Sequence, residues 1–106
     1  MFRRPRRASE PVDPQLEQRM REQDWAFTET DLQAMAAHVR STNSRTRTLT
    51  GRATRTLPGL GPVSLMDSPN GWILLRERTA LVVGDMATIK RYIRQQQGFP
   101  DPPEEA

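Results

Sequence analysis

The segment from Gly51 to Gly84 cannot hold a long helix. The cluster "PGLGP" at 58–62 and the turn sequence "DSPNG" at 67–71 interrupt it twice. Proline fixes φ and lacks an amide donor, while Asn-Gly supplies the positive φ of a tight turn. Strand-length pieces remain: "VSLM" (63–66), "WILLRE" (72–77) and "TALVVG" (79–84), the last two on either side of a turn near Glu77-Arg78. In those two the apolar residues run together, where a strand with one wet face would alternate. That pattern predicts a strand covered on both faces, or a buried hairpin.

Helical signals bracket this segment. Asp13-Pro14 reads as an N-cap followed by proline at the first helical position. Leu16, Met20 and Phe27 then share one face, interrupted by Gln23, and this helix is expected to end near Trp25. "TETDLQ" offers two overlapping capping boxes, Thr28 with Asp31 and Thr30 with Gln33, for a second helix. Leu32, Met35, Ala36 and Val39 form its apolar stripe, Arg40 complements the dipole of its last turn, and Asn43 is a left-handed terminator. Near the C-terminus, Asp85 caps a last helix with Met86, Ile89 and Ile93 on its apolar face, Tyr92 beside them and Gly98 at C′.

The fold class predicted is α+β: two N-terminal helices, a small antiparallel β-meander of three strands, and a C-terminal amphipathic helix. The stretch "RTRTLTGRATRT" (45–56) alternates in a β-type pattern broken by Gly51, so it is expected to extend the meander as a Thr/Arg-rich hairpin or extended strand. One domain spans 13–98. A disordered basic arm (1–12, with Pro5 and Pro11) precedes it, and a disordered acidic, proline-rich tail (99–106) follows. The αβββα order is similar to that of double-stranded-RNA-binding domains in element order only. Those domains begin their last helix with lysines, where this chain has "GDMATIK", and no membership is assigned.

Several function classes have little to stand on. The chain has 106 residues and no cysteine, so neither a disulfide nor a thiolate zinc site is available. Its longest apolar runs, "WILL" and "ALVV", fall far short of the roughly 20 residues that span a bilayer. "MFRRPRR" is not followed by a hydrophobic stretch, which predicts a cytoplasmic protein without membrane contact. His38 is the single histidine and lies beside an apolar stripe with no partner legible, so it reads as structural. Asp24, Glu29 and Asp31 read as capping and dipole groups. No metalloprotease pair, phosphate-binding glycine loop or nucleophile elbow is present. The expectation is a non-enzymatic protein with no cofactor and no metal.

Charge distribution points elsewhere. Fifteen arginines accompany one lysine, and from Leu32 to Met66 there is no acidic residue. Arg45, Arg47, Arg52 and Arg55 fall in that stretch, interleaved with threonines, and guanidinium forks suit phosphate. Lys90, Arg91 and Arg94 lie on the last helix opposite Ile89 and Ile93, and Arg3, Arg4, Arg6 and Arg7 form the arm. Together they predict an electrostatic surface for nucleic acid, DNA or RNA, or for an acidic protein, with little sequence discrimination. A helix-turn-helix is not supported, because its recognition helix would contain "STNSRTRT", rich in β-branched and polar residues. The alternative is a protein–protein adaptor or assembly component, of a kind found in phages and mobile elements. In that case Met20, Trp25 and Phe27 would present an interaction face.

Overall fold

The computed structural model describes residues 13–99; the basic arm and the tail from residue 100 lie outside the described residues. The chain order is α1 (Pro14–Thr46), β1 (Arg52–Leu57), β2 (Gly61–Ser68), β3 (Gly71–Arg76), β4 (Thr79–Gly84) and α2 (Met86–Gln96). This is an α+β fold with an antiparallel meander in the order β1-β2-β3-β4.

Two expectations are corrected. The two N-terminal helices are one helix of 33 residues. Thr28 and Thr30 do not cap a new start; their hydroxyls donate to the carbonyls of Asp24 (2.7 Å) and Ala26 (3.2 Å) inside a continuous helix. With no glycine, and no proline after Pro14, nothing between Trp25 and Thr28 breaks the ladder. Asp13 caps the start by accepting from the Gln15 amide. The helix also passes Asn43 and ends at Arg47, which adopts the left-handed conformation (φ 58°) with its amide donating to the Asn43 carbonyl.

The meander has four strands, not three. Arg45 and Thr46 are the last helical residues, so the first half of the Thr/Arg stretch is neither strand nor hairpin. The second half, Arg52–Leu57, is β1. Gly51 marks the change because its amide is claimed by the Asn43 side chain at 2.7 Å, in a space where a Cβ would collide.

Register sorts the sheet into two faces. Ala53, Leu65, Leu74 and Val82 form one cross-strand row on the face beneath both helices. There they meet Leu32, Met35 and Val39 of α1 and Ile89 and Ile93 of α2 in a single core. The opposite row, Arg52, Met66, Ile73 and Val83, has no described helix over it, and Val83 stays 47% exposed. "WILL" therefore alternates after all, with Trp72 and Leu74 inward. In "ALVV", the pairing of Leu74 with Val82 and of Leu75 with Ala80 leaves Leu81 as an extra residue. That bulge lets Leu81 and Val82 both pack against the core.

α2 joins the middle of α1. Gln97, just past α2, donates to Thr28 Oγ1 (2.6 Å) and to the Pro58 carbonyl (3.1 Å), tying α1, α2 and the β1–β2 turn together. Phe99 is buried there as well. A 33-residue helix is about 50 Å long and a six-residue strand about 20 Å, so α1 outruns the sheet. Its first turns carry Leu16, Met20 and Phe27 exposed.

Candidate nucleic-acid interface

The end of α1 and the edge strand β1 carry four arginines, with Arg52 and Arg55 on opposite faces of the strand. Arg45 is in the last turn of α1, Arg47 caps it, and Arg52 and Arg55 stand on β1, all four exposed. β1 is an edge strand, so its outer flank faces away from the sheet. A groove of about 350 Å³ runs between β1 and α1, lined by Ala34, His38, Arg52 and Arg55 among others. Among the described residues no carboxylate pairs with any of the four guanidiniums; Arg52 donates to the backbone carbonyl of Glu77 at 3.2 Å.

The threonines between them are differently disposed. Thr46 donates its hydroxyl proton to the Thr42 carbonyl (2.9 Å), so it must accept from Thr48 (2.7 Å). Thr48 in turn accepts from Thr50 (2.8 Å). The chain runs one way, and all three protons are used within it. Thr54 shares a hydrogen bond with Ser64 at 2.8 Å. Anion attraction at this surface therefore rests on guanidinium groups, with the threonines shaping the turn that displays them.

The cations of α2 lie elsewhere. α2 packs over β3 and β4, across the sheet from β1. Lys90 is paired with Glu29 of α1 at 3.6 Å. Arg94 is stacked between Trp25 (4.9 Å) and Phe99 (4.1 Å), which gives Trp25 a packing role. Arg91 is exposed near Asp85. The Asp85 carboxyl is held below its ordinary range by the Thr88 hydroxyl and then the Thr88 amide, with Arg91 adding a smaller pull in the same direction. Arg3, Arg4, Arg6 and Arg7 lie outside the described residues.

Arg76 is a residue the sequence did not single out. It sits with Arg52, Thr54, Pro62 and Ser64 around a second cleft of about 310 Å³, and its guanidinium donates to the Leu60 carbonyl. Only the strand register brings Arg76 near Arg52, 24 positions earlier, so no local pattern announces it. Arg40 lies over the Trp72 ring at 5.2 Å and lines a third groove between the helices with Lys90.

Among the described residues no group of three or more metal-binding side chains comes together, and no helix is long and apolar enough to cross a membrane. Comparison of the chain with protein-family models, with curated proteins and with solved structures gives no match.

Proposed function

We propose that this is a non-enzymatic, cytosolic nucleic-acid-binding protein that grips the phosphate backbone through Arg45, Arg47, Arg52 and Arg55. The observation that supports this is the contrast between two sets of cations. Among the described residues the four at the α1–β1 end are exposed and meet no carboxylate, while Lys90 and Arg94 are engaged within the fold. Guanidiniums on a strand edge and a helix end track a backbone without entering a groove to read bases, so binding is electrostatic and weakly selective. Titration of duplex DNA and of RNA at several salt concentrations tests the reading. Four phosphate contacts give a log–log slope of about −3.5 on duplex DNA. The Arg45/Arg47/Arg52/Arg55→Ala variant, shown to be folded, should lose most of that slope. Absence of binding at low salt, or an unchanged slope in the variant, removes the proposal.

A second reading, a protein-contacting component, is favoured by the exposure of Met20 (55%) and Phe27 (62%) on the projecting part of α1.

A further inference from the structure

The apolar residues left open on α1 belong to a longer face. At 100° per residue, Leu16, Met20, Phe27, Ala34, His38 and Arg45 fall within about 40° of one another around the helix. The face is apolar where α1 projects, small at Ala34, and cationic where it borders β1. Charge is divided in the same way along the helix. Residues 14–31 hold five acids against two arginines, whereas 32–46 hold Arg40 and Arg45 and no acid.

We propose that the projecting half of α1 docks in the α1–β1 groove of a second copy of this chain, making a two-fold dimer with the two α1 helices antiparallel. Each copy then gives its acidic, apolar half and receives the other's. The arrangement is closed, because the same two surfaces meet twice about the axis.

The register follows from how β1 lies along α1. Gly51 is fixed to Asn43, and Pro58 is linked to Thr28 through Gln97. Seven strand residues span about 23 Å and fifteen helical residues about 22 Å, so β1 runs back along the helix with both ends matched. Arg55 thus lies level with Ala34 and Met35, and Arg52 with a point one turn beyond His38, in keeping with the residues that line the groove. Seating Phe27 against the small Ala34 of the second copy brings Asp24 opposite its Ala37, within one helical turn of the level of its Arg55. Asp24 continues, toward the N-terminus, the row of Thr28 and Met35 that faces the sheet. Two-fold antiparallel pairing apposes like flanks of the two helices, so this acid arrives on the flank where the second copy's Arg55 stands. One register therefore satisfies the ring, the small residue and a charge pair. A dimer centred on the projecting halves instead sets acid flank against acid flank.

The proposal is independent of nucleic acid and is tested without it. Sedimentation of the full chain over a range of concentrations, at low and high salt, should show a monomer–dimer equilibrium that salt weakens. Asp24→Arg and Arg55→Asp, both at exposed positions, should each raise the dimer dissociation constant by about tenfold or more. The double charge swap should return it to within about threefold of wild type. Phe27→Ser should also favour monomer, with an unchanged circular dichroism spectrum. A wild-type chain that stays monomeric throughout overturns the proposal. So do charge swaps that leave the dimer intact, and a double swap no better than the single ones.

Discussion

The Asn43 side-chain oxygen accepts the Gly51 amide at 2.7 Å, with both residues buried, so the last full turn of α1 sets where β1 begins. Removing the acceptor strands a buried amide. Asn43→Ala is expected to cost about 1–3 kcal/mol in urea unfolding. Gly51→Ala should destabilise in the same assay, because its Cβ would lie 2.6 Å from that oxygen and 3.0 Å from the Val39 carbonyl. An unchanged midpoint in both variants would mean that β1 is positioned by the sheet alone.

The α2 cations separate packing from binding. Arg94 stacks on Trp25 and Phe99, so Arg94→Ala should lower stability by about 1–2 kcal/mol and leave the salt slope of nucleic-acid binding where it was. Arg45→Ala should do the reverse. Its site is exposed and alanine favours helix, so stability should hold within about 0.5 kcal/mol while the slope shrinks by about one. Parallel chemical denaturation and salt titrations on the two variants check the pair. A loss of slope in Arg94→Ala would place that guanidinium in the binding surface.

The parts that were legible in the sequence are those governed by local rules. Asp85, Ile89 and Ile93 mark α2 because cap and stripe agree, and "PGLGP" and "DSPNG" fall at turns because proline and glycine act at their own positions. Thr28 misled for a physical reason: the same hydroxyl serves an N-cap or bonds back to the carbonyl four residues earlier, and sequence does not choose between them. Burial decided it, since Gln97, 69 positions away, donates to that hydroxyl inside the fold. The Thr/Arg stretch misled because alternation at Arg45 and Thr46 is overridden by a helix already under way. For the candidate site, the exposed Arg45, Arg47, Arg52 and Arg55 were visible in an acid-free run. The engagement of Lys90 by Glu29 and of Arg94 by Trp25 was not, because both depend on the packing of α2 against α1.

Asp85 should give stability a measurable dependence in acid. Its folded carboxyl is held below the ordinary value chiefly by the Thr88 hydroxyl, then the Thr88 amide. A folded value below the unfolded one means that the carboxylate stabilises the native state above the unfolded value, about 3.9 for aspartate. That contribution is lost as pH falls through the lowered folded value. Asp85→Ala should therefore melt below wild type at neutral pH, and the gap should narrow as pH drops below about 4. Thermal melts of both proteins from neutral to strongly acidic pH read this directly. A gap that does not change with pH would assign the effect to the lost cap geometry rather than to the charge.

Arg55 is asked to do two things, to meet phosphate and to meet Asp24 of a second copy. The two uses exclude one another at the same groove, so nucleic acid and the second copy should compete. Adding a short DNA duplex to the dimer is expected to release monomer, and apparent DNA affinity should fall as protein concentration rises. The Asp24→Arg variant, impaired as a dimer, should lose that concentration dependence and bind DNA at least as tightly as wild type. Sedimentation with labelled duplex measures both species at once. A stable complex of dimer and DNA would separate the two surfaces and move the phosphate contact to Arg47 and the face carrying Arg76.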